Sequence, residues 1–310
     1  MIHSIYLSIV GILINQIPLF YELFTRNSKQ RFYKFEYKNV RFFYFLYSKS
    51  LYIQTEVDKI IGKRDITLND KEEFINELIE IITEFVNIKK KDIKFNVCRI
   101  DYKVDIQLTS LEMSNMHVLM SKHRTNYKKL KATGIYDTSI SLATPYSGLK
   151  VNVYDKWEKC KLPEWKGVLR VELQVKNRKL HRLLRKEGIK RNINVYWTKE
   201  FMEKYYFLYY EGYFYLGDYY KLNICKRLIR ESSYSMTIKK GLIKFVTEVN
   251  RFGMTKVCEK YSYNKVRRYI DYLNNIKVNP ITINNDSEIN KIQNIVEKAR
   301  EVAEERYFKD

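Results

Sequence analysis

Three short segments carry tyrosine, lysine and carboxylates at spacings that suit chemistry on a phosphodiester. They are Arg99-Ile100-Asp101-Tyr102-Lys103-Val104-Asp105-Ile106, Leu149-Lys150-Val151-Asn152-Val153-Tyr154-Asp155-Lys156 and Leu169-Arg170-Val171-Glu172-Leu173-Gln174-Val175-Lys176. A tyrosine hydroxyl can serve as a covalent nucleophile. On a phosphodiester it needs a divalent cation, oxygen ligands to hold that cation, and positive charge to balance the developing negative charge. Tyr154 and Lys156 supply nucleophile and positive charge two residues apart. Asp101 and Glu172 are the candidate ligands for that cation, and His117, in the apolar stretch Asn115-Met116-His117-Val118, is a candidate nitrogen ligand.

All three segments alternate with period two, so successive side chains face opposite sides of a sheet. Arg99, Asp101, Lys103 and Asp105 share one face of the first. Lys150, Asn152, Tyr154 and Lys156 share one face of the second, and Arg170, Glu172, Gln174 and Lys176 one face of the third. The opposite faces are apolar apart from Asp155. In one sheet, these strands would put a helix layer on the apolar side and gather carboxylates, cations and one tyrosine on the other. An ordinary solvated sheet face is the alternative, and the clustering of titratable groups favours a site.

The remaining elements follow from local signals. Residues 41–57, rich in Phe, Tyr, Leu and Ile, read as strands. Asp70 reads as a helix N-cap with Glu73 completing a capping box, ahead of apolar Phe74, Ile75, Leu78, Ile79, Ile82, Phe85 and Val86 at helical spacing. Residues 177–187 form a basic helix ended by Gly188. The Tyr/Phe-rich stretch 196–220 has no clear assignment. Lys240–Asn250, Thr255–Tyr261 and Tyr263–Asn274 read as three helices with a break at Phe252-Gly253, a helix-turn-helix outline with a plain helical bundle as the alternative. Lys265, Arg267 and Arg268 would lie outward on the last helix, and Val266, Tyr269, Ile270 and Leu273 inward. Asn279-Pro280 and Asn284–Ser287 read as a linker, and Glu288–Phe308 as a charged helix that docks on the body or mediates self-association, a homodimer among the options. The uncharged N-terminal residues 1–21 are broken by Asn15, Gln16 and Pro18 and lack a basic lead-in, so a buried strand and turn fits better than a signal peptide or membrane anchor.

Lys and Arg number 57 against 36 Asp and Glu, a formal net charge of +21. A field of that sign draws polyanions, of which nucleic acid is the commonest. Lys150 and Arg170 on the polar face, with Lys265, Arg267 and Arg268, are the candidate DNA contacts. Cys98, Cys160, Cys225 and Cys258 show no CxxC spacing, which argues against structural zinc and suits reduced, buried thiols in a cytoplasmic protein. Gly-rich phosphate loops, GxGxxG, GxSxG and HExxH are absent, and the four histidines include no His-x-His pair.

Cys98-Arg99-Ile100-Asp101, Val153-Tyr154-Asp155-Lys156 with Glu158 after it, and Leu169-Arg170-Val171-Glu172-Leu173 stand in an order that resembles the rolling-circle replication initiators of filamentous phages and small plasmids, of the gene-two/gene-ten replication protein type. The resemblance covers roughly residues 90–280. It implies an α+β fold, a central antiparallel sheet with helices on one face as in HUH endonucleases, plus the C-terminal helix-turn-helix-like region. It implies an endonuclease domain over 1–200, a helical DNA-binding region over 201–280, and a linker and helix over 281–310. The implied activity is nicking and rejoining of single-stranded or supercoiled origin DNA. Tyr154 would form a 5′-phosphotyrosine link, Lys156 would be its electrostatic partner, and Asp101 and Glu172 would hold Mg2+ or Mn2+. Host helicase and polymerase would be partners, and a membrane would not. A relaxase of a transferable element and a non-catalytic DNA-binding regulator are the alternatives. Many members of the wider superfamily hold the metal with a His-hydrophobe-His pair, which this chain lacks.

Overall fold

The uncharged run Ile2–Val10 forms β1, a strand flanked on both sides near the middle of a nine-stranded antiparallel sheet. The computed structural model describes residues 1–27, 32–123, 138–143 and 148–308. The other strands are β2 (Thr25–Asn27), β3 (Phe32–Tyr37), β4 (Val40–Phe45), β5 (Ser50–Glu56), β6 (Asn96–Gln107), β7 (Ser139–Ala143), β8 (Leu149–Asp155) and β9 (Val168–Lys176). Their order across the sheet is β2-β3-β4-β5-β1-β6-β9-β8-β7. The three segments of alternating sequence are therefore adjacent strands, β6-β9-β8, beside the N-terminal strand.

The helices are α1 (Phe20–Leu23), α2 (Val57–Ile61), α3 (Lys71–Thr83), α4 (Ser110–Lys122), α5 (Lys156–Cys160), α6 (Asn177–Glu187), α7 (Ile193–Tyr196), α8 (Lys199–Phe201), α9 (Leu208–Phe214), α10 (Leu222–Glu231), α11 (Met236–Lys260), α12 (Tyr263–Asn275) and α13 (Ile295–Arg306). The aromatic stretch that resisted assignment is helical. A π segment, Met202–Phe207, joins α8 to α9, and the three together bury Phe201, Met202, Tyr205, Tyr206, Phe207, Tyr210 and Phe214. These aromatics cover the apolar sheet face and tie into it. Tyr206 Oη donates to Val171 O at 2.9 Å and Tyr210 Oη to Asn152 O at 3.2 Å, while Tyr102 Oη donates from the sheet to Tyr196 O at 2.6 Å. Burying an aromatic side chain contributes on the order of 2–3 kcal/mol by area.

Three local readings change. Asp70 precedes α3, but its carboxylate accepts from Thr67 N at 2.7 Å and from Lys63 Nζ at 2.9 Å, and Glu73 also pairs with Lys63, so no capping box forms. The chain turns before the helix, and the carboxylate satisfies that turn instead. Residues 278–283 are not a loose linker: Val278, Ile281 and Ile283 are buried, and Asn279 Nδ2 donates to Phe214 O at 3.0 Å. The C-terminal segment then adds β11 (Lys291–Ile292) to β10 (Tyr219–Tyr220), and α13 packs on the body, where Arg300 Nη2 bonds Glu211 at 2.9 Å and Ala299, Ala303 and Tyr307 are buried.

The helix break expected at Phe252-Gly253 lies inside α11, where Gly253 has φ 75° and ψ 163°. That positive φ favours glycine. Gly241 serves differently: a Cβ there would meet Tyr269 Oη at 2.5 Å, so its absence lets α12 lie close on α11. Val266, Tyr269 and Leu273 face inward and are buried. No helix among the described residues is long and apolar enough to cross a membrane.

Candidate active site

Strand register sets the site in rows. Asp105 (β6), Arg170 (β9) and Tyr154 (β8) lie opposite one another in the first row, and Lys103, Glu172 and Asn152 in the second. The third runs from Ser4 (β1) through Asp101 and Gln174 to Lys150. This is the polar face predicted by alternation, but it is not solvated. Arg170 and Asp101 are 1% exposed and Lys103 is 0% exposed.

Charges taken out of water need close partners. Arg170 forms a two-pronged pair with Asp105, Nε to Oδ1 at 2.6 Å and Nη2 to Oδ2 at 2.7 Å. Burial alone would raise the Asp105 carboxyl, but the Arg170 guanidinium outweighs burial and holds it down to about 2. Removing one partner of such a pair costs about 3–5 kcal/mol, because the other charge stays buried alone. Arg170 is thus a structural ion-pair partner, aimed across the sheet and away from bulk solvent.

Tyr154 is 6% exposed, and its Oη donates to Glu172 Oε2 at 3.2 Å. The other Glu172 oxygen accepts from Asn152 Nδ2 at 3.2 Å and from Gln174 Nε2 at 2.8 Å. Burial, and then the Glu172 carboxylate, push the Tyr154 phenol well above its usual range, so it is protonated at neutral pH. A nucleophile in that state needs a base within hydrogen-bond reach, and Glu172 is the carboxylate in contact with it.

Lys156 does not continue the strand face of Tyr154. β8 ends at Asp155, whose side chain accepts from Glu158 N at 3.3 Å and caps α5. Lys156 becomes the first residue of that helix, with Nζ 5.1 Å from the Trp165 ring centre. Arg64 and Arg170 approach the same ring at 4.3 and 5.2 Å. The lysine over Tyr154 is Lys159, one helical turn on, with Nζ 4.1 Å from the ring centre. The Asp155-x-x-Glu158 spacing is a capping signal, and it marks the turn that exchanges one lysine for the other.

Asp101 and Glu172 line one cleft, but His117 does not join them, and both carboxylates already have protein partners. Asp101 is held by Arg99, Nε to Oδ1 at 2.8 Å and Nη2 to Oδ2 at 2.6 Å, and by Ser4 Oγ at 2.6 Å. Glu172 is occupied as described. His117 lies on α4, where the Thr109–Glu112 capping box starts the helix, and its Nε2 sits 3.3 Å from Asp155 Oδ2 on the opposite side of β8 from Tyr154. Among the described residues, the group of three metal-ligand side chains whose donor atoms lie within 4.8 Å of one another is His3, Glu56 and Asp58. None of the three was picked out as a site residue from sequence.

A polar cleft of about 250 Å³ joins these features, with His3, Ser4, Tyr6, Glu56, Arg99, Asp101, Lys159, Glu172 and Gln174 among its walls. Of the candidate DNA contacts, Lys150 is half-buried at the edge of the polar face, Lys265 is half-buried against Tyr261 and Tyr269, and Arg267 and Arg268 are exposed on α12. Of the cysteines, Cys225 is buried and the other three are only partly so.

No protein-family model and no curated protein matches the chain. Among solved structures it is similar to a rolling circle replication initiator protein from Geobacillus stearothermophilus, at 11% identity and a TM-score of 0.33, over 91% of this chain and 97% of that one. A likeness at that level carries no weight for the chemistry, which rests on the side chains in the cleft.

Proposed function

We propose that the cleft is a phosphodiester transfer site, and that the chain is a replication initiator that nicks and rejoins DNA through Tyr154. The observation that carries this reading is the Tyr154 hydroxyl donating at 3.2 Å to Glu172, a carboxylate in the wall of a polar cleft that also presents Arg99 and Lys159. Glu172 takes the phenolic proton as Tyr154 Oη attacks phosphorus. The bond to the 3′-oxygen breaks, and that oxygen leaves as a 3′-hydroxyl once protonated. The DNA remains linked through its 5′-phosphate to Tyr154, and attack by a 3′-hydroxyl reverses the step. Lys159, over the Tyr154 ring, and Lys156, at the start of α5, are positioned to offset the negative charge that develops on the phosphate. Asp105 acts through Arg170, fixing the row in which Tyr154 lies.

Substrate affinity is a separate matter in this reading. The net charge of +21 supplies a long-range field, and the exposed cations of α11 and α12 supply backbone contacts. Origin DNA is the substrate, Mg2+ or Mn2+ the cofactor, and host helicase and polymerase the partners that extend the 3′ end. The test is relaxation of a supercoiled plasmid carrying the candidate origin. The wild-type chain is expected to nick it, and Tyr154→Phe to lower nicking by more than about 10³-fold while retaining DNA binding. Equal nicking by both proteins would remove the reading.

A further inference from the structure

His3 and Glu56 in the wall of this cleft belong, with Asp58, to a second cluster that nucleophile and base do not use. β1 carries a bulge between Ile2 and Ser4: Ile2 lies opposite Tyr102 and Ser4 opposite Asp101, leaving His3 as the extra residue. A bulge re-aims a side chain without ending the strand. Here it turns His3 toward the polar face, where both His3 and Ser4 line the cleft. β5 ends beside it with Glu56, and α2 begins with Val57 and Asp58.

We propose that His3, Glu56 and Asp58 form a divalent-cation site selective for Mn2+ over Mg2+. Their donor atoms lie within 4.8 Å of one another, a spread that a metal ion could span. His3 Nδ1 and Asp58 Oδ1 are both buried without a hydrogen-bond partner, and buried polar atoms left in that state are costly unless something binds them. Each carboxylate is only half committed to the protein. Asp58 Oδ2 lies 4.0 Å from Lys103 Nζ, and Glu56 Oε1 accepts from Lys59 Nζ at 3.2 Å. The two lysines keep the carboxylates from repelling each other while the site is empty. One imidazole with two carboxylates suits Mn2+, whereas Mg2+ favours all-oxygen coordination with retained water. Burial, with Arg170 and Lys103 adding to it, pushes the His3 imidazole down to about 2, so it is neutral at physiological pH. A metal ligand must be in that form. The site differs from the sequence-based ligand set of Asp101, Glu172 and His117 in every residue.

The proposal stands apart from nicking, since it is read on the full chain without DNA. Mn2+ titration followed by the loss of the free-ion electron paramagnetic resonance signal should show one saturable site. His3→Gln and Glu56→Gln should each weaken it at least about tenfold, while His117→Gln and Tyr154→Phe bind as the wild type does. Pulsed measurements should show imidazole nitrogen coupling to the bound Mn2+, lost in His3→Gln. Thermal unfolding of each variant without metal confirms folding, and Glu56→Gln, at a partly exposed position, covers the case in which His3→Gln does not fold. Absence of saturable Mn2+ binding, wild-type affinity in both His3→Gln and Glu56→Gln, or loss of the site in His117→Gln would overturn the proposal. A chain that binds Mn2+ through His3 but forms no tyrosine adduct would keep this site and lose the nicking reading.

Discussion

The polar face of the sheet and the surface of α11–α12 are both rich in cations, and they use them in opposite ways. On the sheet, Arg170, Lys103 and Arg99 are drawn in beside carboxylates, and Asp105, Asp101 and Glu172 are each 5% exposed or less. On the helices, Lys240, Lys244, Lys256, Arg267 and Arg268 are exposed and form no ion pair with a described residue. The first pattern fixes geometry, because every buried charge specifies where its partner must be. The second leaves charge available to any polyanion. A basic total therefore divides into a part that builds a site and a part that attracts a substrate, and composition alone does not separate them.

The largest effect is expected at the sheet. Glu172→Gln keeps an acceptor for Tyr154 but cannot take its proton. Nicking should fall by about 10²–10⁴-fold with little change in DNA affinity, measured by single-turnover cleavage at saturating protein. A variant that cleaves normally but binds weakly would move Glu172 into the class of the helix residues.

Two buried histidines make the stability of the fold depend on pH. His123, at the end of α4, packs with its ring centre 4.7 Å from Phe214, and burial pushes it down to about 3. His3 behaves likewise, at about 2. Both folded values lie below the unfolded value near 6.5, so the unfolded chain binds more protons below that pH. The stability that each neutral imidazole preserves is complete above about pH 6.5 and is lost as pH falls toward the folded value. Urea unfolding at pH 6 and pH 5 should show His123→Leu losing about 1.4 kcal/mol less per pH unit than wild type. Parallel slopes would contradict the buried neutral imidazole.

The smallest effect belongs to the helices. Replacing Arg267 and Arg268 with alanine should lower the salt dependence of DNA binding by about 0.9 in log–log slope per residue, while adduct formation at saturating DNA stays unchanged. An unchanged slope would mean that DNA does not lie on α12, and the helix-turn-helix outline would then be a packing feature only.

Much of this division was legible in the sequence, for reasons that differ from residue to residue. Period-two alternation placed Tyr154, Glu172, Arg170 and Asp101 on one face, since β6, β9 and β8 pair without a bulge between them. The break at Gly253 and the inward set Val266, Tyr269 and Leu273 were also readable. Lys156 was misplaced because alternation was carried one residue past Asp155, where a capping interaction overrides the strand. His117 was misplaced because an apolar neighbourhood does not say which side of the sheet a helix covers. His3 was missed altogether: a bulge leaves no local signal, and the pairing of β1 with β6 that creates it spans about a hundred residues of chain. The role of Asp105 was hidden similarly, since its ion pair with Arg170 depends on register.

The most direct test of the central claim is to capture the protein–DNA adduct and map it. The full chain is incubated with single-stranded origin oligonucleotide and Mn2+, resolved on a denaturing gel, digested and sequenced by mass spectrometry. The expected result is a nucleotide carried on the peptide containing Tyr154, with no adduct from Tyr154→Phe. An adduct that persists in Tyr154→Phe, or one that maps to another tyrosine, would contradict it.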